Sequence, residues 1–284
     1  MTAANAPAAR FVNRTRRATS IPGKLWAEGR PHLIPLYGLL LSSDLAREGI
    51  VNSGSYAFAD HIYRGRASGR WGFGRLVDRL LLSMPSARSF RSRFLHSRNA
   101  IVRHARSWPV GEPIQVLSAP CGIARDVVEA AAALRDRHEP TYVRLSCTVL
   151  DLDPVPLAVT EHEVAARGLR AFRLLAGDAL SSGALPPGQT LITSTGFGEF
   201  LTDDELAAFF ERCYQALRPG AWLVTSATRR HALSDYLLRN LGELHTHYRE
   251  APQLIALLSA AGFGEVQWHV DAVGLQTLAV AVRP

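Results

Sequence analysis

Ile114-Gln115-Val116-Leu117-Ser118-Ala119-Pro120-Cys121-Gly122-Ile123-Ala124-Arg125-Asp126 decides the fold. Ile114, Val116 and Leu117 read as a short buried strand, which breaks into a turn of small residues, Ser118 to Ala124. A helix rich in alanine follows at once, through Ala130 to Leu134. In α/β folds, a strand that ends in tiny side chains and feeds a helix brings backbone N–H groups close to a ligand. Gly122 and Ala124 stand where bulk would block that approach. Close helix–sheet packing would also favour small residues there, so the segment alone leaves both readings open.

Working outward, short apolar runs alternate with helical patterns from Ile114 to the C-terminus, the signature of a mostly parallel sheet covered by helices. Strands are predicted at 114–118, 145–150, 171–175, 190–194, 221–226, 265–271 and 276–282, with helices at 123–135, 154–167, 203–217, 231–240 and 251–261. Thr202-Asp203-Asp204-Glu205 forms a capping box, and Leu217-Arg218-Pro219-Gly220 stops that helix before the fifth strand. Only residues 272–275, among them Ala272, Val273 and Gly274, separate the last two strands, too few for a crossover helix, so those strands should be antiparallel. Five parallel strands with an antiparallel hairpin favour a methyl-donor-binding sheet over a six-stranded dinucleotide-binding one. Upstream, helical stretches are expected at Leu33–Arg47, Gly72–Leu82 and Ala87–Arg106, with a turn at Asn52-Ser53-Gly54-Ser55.

With 47% hydrophobic and 20% charged residues over 284 positions, the composition is that of a globular protein with ample core material. Leu33–Leu41 carries Pro35 and is far too short to span a membrane, so no membrane partner is expected. Residues 1–29 read as a flexible solvated tail. Cys121, Cys147 and Cys213 have neither metal-ligand spacing nor an even count, which suggests a reducing, cytoplasmic setting. His245 and His247 have no partner cluster, and no metal is expected. The net charge of +7 is uneven: residues 1–110 hold 18 basic and 5 acidic side chains (+13), the remainder 14 and 20 (−6). The arginines are scattered among apolar residues as on a solvated helical face, so no nucleic-acid partner is expected.

Two carboxylates punctuate the sheet. Asp151 in Asp151-Leu152-Asp153-Pro154 ends the second strand beside the small-residue turn, where it can accept both hydroxyls of a ribose. Leu152 then offers an apolar face to a purine, and Asp178 in Gly177-Asp178-Ala179-Leu180 can accept from an adenine amino group. A helix cap is the plainer role for one such residue, and Asp153 before Pro154 suits it.

On these residues the chain resembles the class I S-adenosylmethionine-dependent methyltransferases, whose first motif reads Leu-Asp-x-Gly-x-Gly-x-Gly. Leu117 to Ala124 overlies it, with Ser118 replacing the acid and two glycines changed. The resemblance covers about residues 110–284. It implies S-adenosylmethionine as cofactor, with Asp151 on the ribose, Leu152 on adenine, Asp178 on the adenine amino group, and Ala119, Pro120 and Gly122 along the methionine moiety. Ser118, Ala179 and Thr195 complete the expected cofactor set. Ser53-Gly54-Ser55, Asp60-His61-Ile62-Tyr63-Arg64, Gly74 to Arg79, Arg91-Ser92-Arg93, Ser194 to Phe200 and His231 further resemble a bacterial methyltransferase family without assigned substrates.

That resemblance makes residues 30–108 a helical cover that binds the acceptor and 109–284 the methyltransferase domain. Thr195-Gly196-Phe197-Gly198-Glu199-Phe200 should face the transferring methyl group, because ligands lie outside the carboxyl ends of the strands. Glu199 and His231 are the candidate bases, and Tyr56, His61, Tyr63 and Phe197 the candidate acceptor contacts. A small-molecule methyltransferase of secondary metabolism is the expected function. Methylation-triggered cyclisation or cyclopropanation and a non-catalytic scaffold are the alternatives, and the cover suits a homodimer face equally.

Overall fold

The computed structural model describes residues 20–52 and 54–284. They fall into two compact units. One comprises Ser92–Arg229 with His247–Pro284, and the other takes the chain up to Arg91 together with Arg230–Thr246.

The larger unit is built on a seven-stranded sheet: β1 (Ile114–Ser118), β2 (Leu145–Asp151), β3 (Phe172–Ala176), β4 (Gln189–Ser194), β5 (Leu217–Thr228), β6 (Val266–Val270) and β7 (Gln276–Val282). Their order is β3-β2-β1-β4-β5-β7-β6. The pairings from β3 across to β5 are parallel, whereas β7 runs antiparallel to both β5 and β6. The architecture expected from the sequence, a Rossmann-like α/β sheet with a reversed C-terminal hairpin, is the one observed. β4 is buried along its whole length, as a central strand should be, while the edge strands β3 and β6 stay partly exposed.

The helices of this unit are α7 (Arg125–Asp136), α8 (Pro154–Ala166), α9 (Asp203–Ala216) and α11 (Ala251–Ala260), joined by the later part of α6 (Pro85–Ser107). Ala130, Ala131 and Ala132 let α7 approach the sheet closely, in a core shared with Ile101 and Ala105 of α6 and Val116, Val149 and Leu191 of the strands. Fully buried side chains such as Leu117, Leu191 and Ile192 each contribute about 2 kcal/mol. The Thr202–Glu205 capping box that starts α9 is present with both of its reciprocal bonds.

The smaller unit is helical: α1 (Ile21–Ala27), α2 (Leu33–Leu40), α3 (Asp44–Val51), α4 (Tyr56–Arg64), α5 (Trp71–Ser83), the first turns of α6, and α10 (Ala232–Leu237), which runs into one π turn at Leu238–Gly242. Part of the expected N-terminal tail is corrected here. Ser20 caps α1 by accepting from Gly23 N–H, and Ile21 and Leu25 are buried with Leu33, Ile50 and Leu241. Residues 1–19 of that tail lie outside the described residues. The helix expected over residues 231–240 also belongs to this unit rather than to the sheet.

Candidate functional site

β1 lies between β2 and β4, with Ser118 in register with Val149 and Thr193. The turn beyond it is tied down by its own backbone donors. Ala119 N–H donates to Thr193 O (3.1 Å), Cys121 N–H to Leu150 O (2.9 Å), and Ala124 N–H to Thr160 Oγ1 (3.2 Å). Gly122, left-handed at φ 51°, donates its N–H to Asp151 Oδ2 at 2.6 Å. The expectation that this turn presents its N–H groups to a ligand is therefore corrected. These four donors are turned inward and Pro120 has none, so of the backbone donors from Ala119 to Ala124 the turn keeps only the Ile123 N–H for a ligand.

Asp151 is the pivot. Its Oδ1 accepts from Asp153 N–H at 3.0 Å and its Oδ2 from Gly122 N–H. Burial pushes its carboxyl up, with the Asp153 charge adding to the shift and the backbone N–H groups of Asp153, Gly122 and Leu152 opposing it. Each oxygen keeps a second acceptor site, so the group can still take two hydroxyls. Leu152 is half-buried beside it, and Asp153 caps α8 by accepting from Val155 N–H at 2.9 Å. On the next loop Asp178 Oδ1 accepts from Leu180 N–H at 2.9 Å, with Ala179 buried alongside. Thr195 is half-buried just after β4, and Ser118 is buried at the end of β1. A carboxylate with spare acceptor sites, an apolar neighbour and small residues in the turn fits a nucleoside with an amino-acid tail. Sequence position brought these residues to the carboxyl ends of neighbouring strands.

Glu199 is not a free base. It is buried, its Oε1 lies 3.5 Å from Arg93 Nη1, and its Oε2 accepts from the Thr228 hydroxyl. Gln276 Nε2 donates in turn to Thr228 Oγ1 at 2.8 Å. Arg93, buried on α6, lays its guanidinium where a Cβ on Gly196 would stand, and Gly196 holds φ 83° with its N–H on Ser226 Oγ at 3.1 Å. Phe197, expected to face the acceptor, is buried edge-on against Phe209 at 5.3 Å and serves the core.

A second polar cluster escaped the sequence reading. Ser97 of α6 donates to Asp126 Oδ2, its hydroxyl lies 2.6 Å from Thr193 Oγ1, and Thr193 donates to the same carboxylate at 3.3 Å. Burial pushes the Asp126 carboxyl up, opposed by these hydroxyls and by Val127 N–H. Burial foremost, then the charges of Asp151 and Asp126, push the Cys121 thiol well up, which disfavours its reactive thiolate form. Asp126 follows the turn directly and had a sequence signal, but Ser97 is one serine in a long helix and had none.

The remaining candidates lie in the helical unit. His61 Nε2 sits 3.0 Å from Asp78 Oδ2 and 3.1 Å from Arg66 O. Asp78 is fully buried and also accepts from Ser43 Oγ, Leu45 N–H and Ser68 N–H. His61 is thereby committed to holding this unit together rather than facing an acceptor. Tyr56 and Tyr63 are half-buried on α4. His231 caps α10, its Nδ1 accepting from Ser234 N–H at 3.4 Å, which spends the ring's basic lone pair.

The comparisons with known proteins agree with the fold. Residues 17–283 match the family described as "Putative methyltransferase". The uncharacterized protein YnbC of Escherichia coli K12 is 26% identical over 243 residues, 79% of this chain but 39% of YnbC. The chain thus spans well under half the length of that curated relative. A possible exported protein from Bordetella parapertussis superposes with a TM-score of 0.74 at 20% identity, covering 99% of this chain and 100% of that one. The magnesium protoporphyrin IX methyltransferase of Synechocystis PCC 6803, solved with bound SAH, gives a TM-score of 0.55 at 12% identity over 79% of this chain and 93% of that one. With the family match running over nearly all described residues, the chain belongs to the family described as "Putative methyltransferase".

Proposed function

We propose that the larger unit binds S-adenosylmethionine and methylates a small-molecule acceptor. The observation that carries this reading is Asp151: a carboxylate at the tip of β2, anchored to the turn after β1 yet with acceptor sites to spare. Asp151 would hold the ribose, Leu152 the adenine face and Asp178 the amino group, with Ser118, Ala119, Pro120, Gly122, Ala179 and Thr195 shaping the remainder. When bound, the cofactor supplies a methyl group activated on a positively charged sulfur.

The chain's own contribution is positioning and exclusion of water. Glu199 is engaged by Arg93 and Thr228, and His231 by Ser234, so we read Glu199 as orienting the 195–200 loop and assign the rate to proximity rather than to a poised base. An acceptor from secondary metabolism, a cytoplasmic location and a homodimer belong to the same proposal. A scaffold that has lost the cofactor is the second reading, favoured by the inward-turned donors and by Pro120.

Calorimetric titration of the full chain with S-adenosylmethionine and, separately, S-adenosylhomocysteine tests the proposal. The expected dissociation constant is about 1 μM, and Asp151→Ala should weaken it at least tenfold, about 1.4 kcal/mol. Folded, cofactor-free protein that binds neither compound would establish the scaffold reading instead.

A further inference from the structure

Helix α5 has a face that the methyl-transfer reading does not use. Its inner side is spent on the helical unit, where Gly74, Val77, Asp78 and Leu82 are buried. Its outer side carries Phe73, Leu76 and Leu80, each more than half exposed, with Trp71 86% exposed at the N-terminal end. Positions 73, 76 and 80 fall at i, i+3 and i+7, so the three side chains form one stripe along the helix. Single exposed leucines are ordinary, but a continuous apolar stripe marks an interaction surface.

The charge around the stripe is one-sided. Residues 64–91 contain seven arginines and one acid, Asp78, which is fully buried. Arg75 and Arg79, both exposed, lie along one side of the stripe. Among the described residues, Arg70, Arg75, Arg79 and Arg88 have no carboxylate within ion-pair distance. The unit's other acids are engaged elsewhere, as in Asp44–Arg47, Asp60–Arg64 and Glu243–Lys24. A second copy of this chain would bring like charges together across such a face. The stripe also lacks the directional polar groups that fix a protein partner in register. Ser83, the exposed hydroxyl of α5, donates to Leu80 O in its own helix. Apolar residues with a tryptophan, bordered by unpaired arginines, are what an interfacial helix needs: depth from the first, anionic headgroups for the second.

We propose that α5 docks this protein on an anionic lipid surface, with Trp71, Phe73, Leu76 and Leu80 entering the headgroup boundary and Arg75 and Arg79 meeting lipid phosphates. The contact is peripheral: among the described residues no helix is long and apolar enough to cross a membrane. It replaces the expectation that the chain has no membrane partner, and it stands independently of methyl transfer.

The test is co-sedimentation of the full chain with vesicles of phosphatidylcholine alone or of equal parts phosphatidylcholine and phosphatidylglycerol, at low and high salt. Binding is expected to the anionic vesicles, to fall with salt, and to be at least tenfold weaker on phosphatidylcholine. The double variant Arg75→Gln/Arg79→Gln should bind the anionic vesicles about thirtyfold more weakly. Leu76→Gln/Leu80→Gln should lose at least tenfold, and because all four positions are exposed both variants should melt as the parent does. A blue shift of tryptophan emission on binding should disappear in Trp71→Phe. Absence of binding to either vesicle, or variants that bind like the parent, would overturn the proposal. So would analytical ultracentrifugation showing that the leucine variant converts a dimer to a monomer, because a second copy would then own the face.

Discussion

Gly196 decides where Arg93 can lie. The backbone there is left-handed at φ 83°, and any Cβ would overlap the guanidinium carbon of Arg93. The buried Arg93–Glu199 pair therefore depends on the absence of one methyl group. Gly196→Ala should displace Arg93, strain the backbone and cost about 2 kcal/mol, read as a lowered thermal midpoint. An unchanged midpoint would mean that the pair tolerates a shifted loop. Glu199 was legible in the sequence because the loop after the fourth strand falls at the carboxyl end of the sheet. Its partner was not, since Arg93 lies 106 residues earlier and looks like any other helical arginine. Asp151 was legible for the same reason as Glu199. The opposite orientation of the turn's donors was not, because that depends on which carbonyl each N–H meets across the sheet.

Between helices, buried carboxylates do what apolar packing does inside the sheet. Asp78 of α5 collects Ser43, Leu45 N–H, Ser68 N–H and His61, joining α5 to the start of α3, to α4 and to the loop between α4 and α5. Asp78→Ala leaves those donors buried without an acceptor, and the expected loss is about 3 kcal/mol or more, seen as a lower denaturation midpoint in urea. A loss below about 0.5 kcal/mol would show the hub to be replaceable by water. Elements were readable where pattern and length agreed. The seven strands emerge near their predicted bounds, because short apolar runs bounded by turn residues mark both ends. β5 is the exception: Leu217-Arg218-Pro219-Gly220 reads as a turn, yet Leu217 pairs with Gln189 across a register shift. The stretch Leu33–Arg47 is two helices, since Ser43 caps α3 with its side chain on Ala46 N–H. α1 and α4 were missed although Ser20, Ser55 and Gly65 provide their caps; neither has more than nine residues, too short for a convincing period.

Across the whole chain, the division into units follows contacts rather than sequence order: Arg230–Thr246 leaves the sheet half to join the helices, which no local pattern announces. Acid stability is set at the same scale, and the sheet unit carries its main sensor in its core. His104 is 1% exposed, lies 5.1 Å from the Trp108 ring and 4.9 Å from that of Trp222, and neither ring nitrogen has a hydrogen-bond partner among the described residues. Burial pushes its pKa from 6.5 down to about 4. His96 moves to about 4 as well, through burial first and the neighbouring His269 second. Between about pH 4 and 6.5 the unfolded chain binds protons that the native core refuses, so stability rises with pH through that window. The contribution is complete above 6.5 and lost towards 4. For His104 alone it amounts to about 3 kcal/mol. Asp126 and Asp151 work in the opposite sense: their raised carboxyls hold protons longer in the native state, so their ionisation lowers stability as pH rises above the ordinary aspartate value. The histidines push the melting midpoint up with pH between pH 4 and 6.5, and the two aspartates oppose that rise. His104→Phe keeps a ring between the two tryptophans and removes two unpartnered nitrogens, so it should raise the midpoint at pH 5 and leave the shallower slope due to His96. A variant with the parental slope would place the acid sensitivity elsewhere, because no other change in that substitution alters proton binding.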